Sequence, residues 1–298
     1  MGKRHILIKR EMAIGDVIWV TPLIEHFAVI EKCEVSVMTS RKDPLENNPF
    51  INEIYDYEYM PNDEEIIDLD NSYESQRNKH ILASYYFTAK INNPSFFRPT
   101  LYPTFNNYNR VLDKISRLFS KDKLITIHCS ATSIFRIWPR DRWNVLINTL
   151  NELNIGIILV GANADYSFEE NENIVNLVGC TDFLDSAAVI SLSDLFIGGD
   201  SGMSHVAFAM NIPAIVLYNL VSPEFRMPYA SYCKPIVSNS NGCRFCMNNC
   251  DGIYRCDNKI TPECVLNVSL NEVINSAYNI ISNIPSKQFI NKIKLFNK

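Results

Sequence analysis

Short runs of apolar and β-branched residues, each followed by a turn and a helix-length stretch, recur in two separate series along this 298-residue chain. The first series opens with Ile6–Ile8, turns through Ala13-Ile14-Gly15-Asp16, and continues as a helix from Val17 to Ile30. Strand-like pieces follow at Val35–Met38, Ile54–Tyr57 and Ile66–Leu69. Strands that alternate with helices predict a parallel sheet covered on both faces. Between Asn92 and Asn109 the chain is rich in Pro, Asn and aromatic residues and loses its periodicity, and a polar segment, Ser120–Lys123, comes soon after. The pattern then restarts with strands at Leu124–Cys129, Ile155–Val160, Leu195–Ile197 and Ala214–Tyr218, separated by helices at Trp143–Leu153, Leu184–Leu192 and Ser204–Asn211. The expectation is an α/β protein of two Rossmann-like, doubly wound units, 1–119 and 120–298. Between them a cleft would let the carboxyl ends of both sheets meet one ligand.

Composition narrows the function classes. With 47% hydrophobic and 20% charged residues the chain falls in the ordinary globular range, which excludes disordered, collagenous and coiled-coil readings. The 28 Lys and Arg against 33 Asp and Glu give a formal charge of −5, so no global field favours nucleic acid. No apolar run approaches the roughly 18 residues that cross a bilayer, and the early Lys3-Arg4-His5 and Lys9-Arg10 do not fit a signal peptide or an anchor. A cytoplasmic location is expected, in which the nine cysteines are reduced thiols or metal ligands. The tail from Lys287 to Lys298 carries four Lys among Phe289, Ile290, Ile293, Leu295 and Phe296. It reads as a solvated tail, a docking helix, or a peripheral contact with the inner face of a membrane.

Function should sit in the strand-to-helix loops. The first has a single glycine, Gly15, and lacks the Gly-x-Gly-x-x-Gly spacing that admits a dinucleotide pyrophosphate, which disfavours NAD and FAD. Asp16 in that loop can take a proton from a hydroxyl, or serve only as a helix cap. In the second series Gly198-Gly199-Asp200-Ser201-Gly202-Met203-Ser204-His205 joins a strand to a helix. Several N–H donors at a helix start suit a diphosphate; a capped turn with a packed His205 is the plainer alternative. Ser130, Thr132 and Arg136 follow another strand, and Arg is suited to phosphate. Trp138 reads as core. Asp165 can bond ribose hydroxyls or lie in a solvated loop. Asp68-Leu69-Asp70 matches an Asp-x-Asp metal pattern that is common by chance.

Taken in order, Ala13-Ile14-Gly15-Asp16-Val17, Thr21-Pro22, Arg136-Ile137-Trp138-Pro139 and Asp200-Ser201-Gly202-Met203-Ser204-His205 resemble glycosyltransferase family 9, the ADP-heptose:lipopolysaccharide heptosyltransferases. The resemblance runs from about Ile6 to Val273 and implies a GT-B fold. It also implies inverting transfer of a sugar, heptose, from a nucleotide-sugar donor, ADP-heptose, to a hydroxyl of a glycan such as the lipopolysaccharide core, or of a protein. Carried over by position, Asp16 matches the catalytic base, and Arg136 stands where the family has Lys, neutralising the leaving diphosphate. Ser130, Thr132, Asp165, Asp200, Ser201, Gly202, Met203 and His205 fall on the donor side. His80, with Tyr73, Glu74 and Tyr85, resembles a subgroup pattern on the acceptor side. Ser201 replaces a Thr, and Cys129 or Ser130 stands where a Gly is common.

Cys243, Cys246, Cys250, Cys256 and Cys264 place five thiols in 22 residues. Four thiolates suit tetrahedral Zn²⁺, and iron accepts the same ligands. Some family members have a Cys-rich finger before the C-terminal helix, which implies Cys243, Cys246, Cys250 and Cys264 as ligands with Cys256 as alternate. Arg244, Arg255 and Lys259 are balanced by Asp251, Asp257 and Glu263, so the finger 243–264 offers no stripe for nucleic acid. A structural metal is expected there and no catalytic metal elsewhere. Two rival readings stay open: a GT-B-fold nucleotide-sugar epimerase or hydrolase, and a catalytically silent sugar-nucleotide-binding subunit.

Overall fold

The computed structural model describes residues 3–59, 65–76, 78–162, 168–228, 232–240, 244–246 and 262–285. Two compact units emerge, one built from residues 1–102 and 224–229, the other from residues 103–223 and 230–298.

The first unit holds four parallel strands, β1 (His5–Lys9), β2 (Glu34–Met38), β3 (Glu53–Tyr55) and β4 (Glu65–Asp68), in the order β3-β2-β1-β4. Ile6, Leu7 and Ile8 are fully buried on both faces of β1, as a strand flanked by two partners and covered by helices requires. The single helix expected from Val17 to Ile30 is three pieces: α1 (Ile14–Ile18), α2 (Thr21–Glu25) and a π turn at His26–Ile30. Pro22 lies in the first turn of α2, where its missing N–H interrupts the ladder, and Val20 N–H bonds back only three residues, to Val17 O at 3.0 Å. A further helix, α3 (Ile81–Thr88), belongs to the same unit.

The second unit holds six parallel strands, β5 (Leu124–His128), β6 (Gly156–Leu159), β7 (Ile174–Asn176), β8 (Leu195–Gly199), β9 (Ala214–Tyr218) and β10 (Cys233–Val237). Their order is β10-β9-β8-β5-β6-β7. Its helices among the described residues are α4 (Phe105–Ile115), α5 (Arg140–Glu152), α6 (Phe183–Leu192), α7 (Gly202–Ala209), α8 (Glu263–Leu266) and α9 (Leu270–Asn283). Trp138 belongs to the core as read, edge-on to Trp143 at 5.0 Å, beside Cys264, Val265 and the buried face of α9.

The division falls between Tyr102 and Pro103 rather than between 119 and 120. The reason is α4, which the aperiodic stretch conceals. Thr104 and Asn107 form its capping box, and Tyr108, Val111 and Ile115 make a helical buried stripe. Asn107 Nδ2 and Arg110 Nη2 then donate to Asp185 Oδ1 on α6, at 2.9 and 2.6 Å, which ties α4 to the second sheet.

Within each sheet the strand order reverses at one place, between β1 and β4 in the first and between β5 and β8 in the second. Loops leaving the carboxyl ends of strands at such a reversal diverge to opposite faces and leave a crevice, the usual binding place in open α/β sheets. Asp16 follows β1; Ser130 and Arg136 follow β5; Asp200 and Ser201 follow β8. None of the described helices is long and apolar enough to cross a membrane.

Candidate functional site

In the first unit the loop after β1 turns sharply at Ala13, whose φ of 64° lies in the left-handed region, and α1 starts at once. Asp16 therefore lies inside the first turn of α1 and is not its cap; its main-chain N–H bonds Ala13 O at 2.8 Å. Its side chain is 11% exposed. Arg10 Nη2 donates to Asp16 Oδ2 at 2.6 Å, and the Tyr73 hydroxyl donates to the same oxygen at 2.8 Å. Among the described residues, no hydrogen bond falls on Oδ1. One carboxylate oxygen is thus anchored, and the other carries no hydrogen bond from the described residues.

Burial pushes the Asp16 carboxyl above its ordinary value, against the opposing pull of Arg10, Arg226 and the Tyr73 hydroxyl. A raised carboxylate is a stronger base than a solvated one, which suits proton abstraction. Arg10 is itself held: Nη2 also donates to Glu74 Oε1 at 2.6 Å and Nη1 to Leu69 O at 3.0 Å. Arg226 stacks over the Tyr73 ring at 4.3 Å, bringing a second cation to the same carboxylate from far down the chain. Tyr85 donates to Asp16 O at 3.3 Å.

His80 is a tie rather than an open acceptor-side group. Its ring is 4% exposed, Nδ1 accepts from Leu82 N–H at 3.1 Å to cap α3, and Nε2 lies 2.7 Å from Met227 O. Only the neutral ring with its proton on Nε2 satisfies both contacts, and burial pushes the imidazole down to about 4. Asp68 and Asp70 are likewise engaged, Asp68 with Lys9 at 2.8 Å and Asp70 with the Tyr57 hydroxyl at 2.7 Å.

In the second unit Ser201 is the extended residue that caps α7, with Ser204 in a reciprocal capping box. Ser201, Gly202 and Met203 are half-buried at the start of an eight-residue helix; the Ser201 N–H is donated to Ser204 Oγ at 3.3 Å, and the N–H groups of Gly202 and Met203, with the positive dipole end, favour an anion. Arg136 ends a single 3-10 turn after β5, and its side chain is 22% exposed. Asp200 is 3% exposed and backs the guanidinium: Arg136 Nη1 donates to Asp200 O at 3.3 Å and lies 3.7 Å from Oδ2. Asp200 therefore orients Arg136 rather than offering itself to a ligand. Gly199 lets the two loops approach, since a Cβ there would stand 3.1 Å from Arg136 O. Ser130 is half-buried and Thr132 exposed, while His205 packs into α7's buried face, edge-on to Phe208 at 5.6 Å. Asp165 lies outside the described residues.

His128, at the end of β5, is the group that sequence reasoning missed. Its ring is buried, with Nε2 3.1 Å from Ser130 Oγ and Nδ1 3.2 Å from Ser201 Oγ. The signal was a polar residue closing an otherwise apolar strand, Leu-Ile-Thr-Ile-His. Arg226 gave no such signal.

Of the cysteine cluster, Cys243, Cys250 and Cys256 lie outside the described residues. Cys264 is buried at the start of α8, its Sγ 3.7 Å from Asn219 Nδ2. Phe245, next to Cys246, donates its N–H to Asn219 O at 2.6 Å. Two of the expected ligand segments thus converge on Asn219, although no metal-holding group of three His, Cys, Asp or Glu occurs among the described residues.

The model of glycosyltransferase family 9 (heptosyltransferase) matches residues 80–252, more than half of the chain, covering the loops after β5 and β8 and leaving Asp16 outside. The chain is similar to lipopolysaccharide heptosyltransferase 3 of Escherichia coli K12, 28% identical over 41% of this chain; the match spans 38% of that relative's length. Among solved structures it is similar to the family 9 glycosyl transferase of Veillonella parvula, with a TM-score of 0.74 at 16% identity, covering 94% of this chain and 98% of that one. A second likeness is TibC of enterotoxigenic E. coli, described as a dodecameric iron-containing heptosyltransferase in complex with ADP-D-β-D-heptose. There the TM-score is 0.69 at 16% identity over 95% of this chain and 79% of that one. These likenesses show the fold, that of GT-B glycosyltransferases, and together with the match over 80–252 they establish that this chain belongs to glycosyltransferase family 9.

Proposed function

We propose that the protein transfers heptose from ADP-heptose to a hydroxyl of a glycan or protein acceptor, with inversion at the anomeric carbon. The observation that carries the reading is the Asp16 carboxylate, fixed through Oδ2 by Arg10 and Tyr73, with Oδ1 unbonded among the described residues. The family match and the ADP-D-β-D-heptose in complex with TibC support the choice of donor. In the proposed step the acceptor oxygen attacks C1 of the sugar and forms the new C–O bond as its proton passes to Asp16. The C1–phosphate bond breaks, and its electron pair leaves with ADP. Arg136 and the N–H groups of Gly202 and Met203 meet the charge that gathers on the departing diphosphate.

Purified protein incubated with ADP-heptose and a panel of truncated lipopolysaccharide cores and acceptor peptides should release ADP only when an acceptor is present. Mass spectrometry should show the acceptor gaining one heptose. ADP released at the same rate without acceptor would favour a hydrolase, and ADP-heptose binding without turnover across the panel would favour a silent subunit.

For the cysteine segment we propose a metal held by Cys243, Cys246, Cys250 and Cys264, iron as in TibC or zinc. The convergence of the Cys246 and Cys264 segments on Asn219 supports it. Such a metal would order a segment that cannot bury enough apolar surface by itself. Elemental analysis of the purified chain should find about one metal ion per chain, lost together with several degrees of Tm in Cys264→Ser. Metal-free protein of unchanged Tm would refute the site.

A further inference from the structure

We infer that His128 is a positioning residue: it holds Ser130 and Ser201 so that one of the two hydroxyl protons points at the diphosphate of the donor. This deepens the transferase reading and rests on it.

β5 lies at the strand-order reversal, paired with β6 on one side and β8 on the other, and His128 is its last residue, in register with Gly198. The two loops that leave β5 and β8 carry the anion cradle, and His128 is the side chain bonded to a serine in each. Room for the ring depends on Gly161 after β6, whose φ is 150°; a Cβ there would stand 3.2 Å from both His128 Cδ2 and Ser130 Oγ.

Burial pushes the imidazole down to about 4, so the ring is neutral near pH 7. A neutral imidazole has one N–H and one lone pair. If both contacts are hydrogen bonds, one serine must donate to the ring and the other must accept from it. The donating serine has spent its proton. The accepting serine keeps its own and can give it to a third partner. Ser201 is further fixed by its capping box with Ser204. The ring therefore sets the two hydroxyls in opposite senses and leaves one proton for an anion beside the helix N-terminus and Arg136. Were the ring replaced by an apolar one, each hydroxyl would be free to turn toward a neighbouring carbonyl, and the cradle would lose a preorganised donor.

The test uses the full-length protein, with ADP as probe and ADP-heptose transfer as readout. His128→Phe keeps a buried ring and removes both polar contacts. It should weaken ADP binding by about 10-fold in calorimetry, the effect of one lost hydrogen bond to a charged ligand. It should lower kcat by about 100-fold with donor KM changed much less, since the diphosphate carries more charge when leaving than when bound. In a double-mutant cycle, the serine that faces the diphosphate should cost much less to remove in the His128→Phe background than in the wild type. His128→Gln, which retains one donor and one acceptor, should recover part of kcat. His128→Leu, which also lacks both polar contacts, supplies the same cycle if the Phe variant folds poorly. Additive cycles with both Ser130→Ala and Ser201→Ala, or wild-type ADP affinity and kcat in the variants, would overturn the inference alone. A wild type that does not bind ADP would end the donor reading and this inference together, before any variant is made.

Discussion

Asp16→Asn is expected to lower kcat for sugar transfer by about 10³-fold, within the usual span for loss of a general base, while ADP affinity stays within about twofold. Asparagine keeps the shape of the side chain and can still accept the Tyr73 hydroxyl, so the loss isolates the basic oxygen from the packing. Stopped turnover with intact ADP binding is the signature; unchanged turnover would remove Asp16 as base. The pH profile gives a second reading of the same group. Burial raises the Asp16 carboxyl and the base must be ionised, so activity should fall with an acid limb above the ordinary carboxylate range of about 4. Arg10 opposes that rise through its charge. Arg10→Met should therefore move the limb to still higher pH; a limb displaced toward acid would contradict the assignment.

Arg136→Ala is expected to lower kcat by about 10²-fold to 10³-fold, the range found when a donor to a developing oxyanion is removed. Its guanidinium is placed by Asp200 and opens partly to solvent, a geometry that serves a ligand better than a packed ion pair. Arg136→Lys keeps the charge but not the planar fork, and an intermediate rate is expected from it. The split between constants decides the role. A fall in kcat with donor KM little changed means that Arg136 acts on the leaving group. A rise in KM with kcat intact would mean that it only helps hold the donor.

Much of the second unit was legible because its signals are local. Apolar runs such as Leu-Ile-Thr-Ile and Ala-Ile-Val-Leu-Tyr are long enough to be buried strands, and the Gly-Gly-Asp-Ser-Gly turn announces a loop entering a helix. The first unit was read less well where a helix is broken. Pro22 sits at a place where it can begin a helix or end one, and apolar periodicity alone does not choose. Helix α4 was missed because its start is written in a capping box amid Pro and Asn, and its buried face is Asn107, Tyr108, Val111 and Ile115 alone. Its attachment to α6 through Asp185 moved the division between units away from the polar segment near 120.

Sequence by itself determined the alternation of strands and helices, the loops in which chemistry can reside, and the family. These follow from spacing along the chain, which every local segment carries with it. Tertiary structure decided what each of those residues does. It turned Asp16 into an anchored and raised carboxylate, made Asp200 the backing of Arg136, and engaged His80 in capping a helix. It also brought Arg10 and Arg226 to Asp16, and His128 to Ser130 and Ser201. A carboxylate's basicity and a hydroxyl's direction depend on burial and on neighbours distant in sequence, so no local pattern could have specified them.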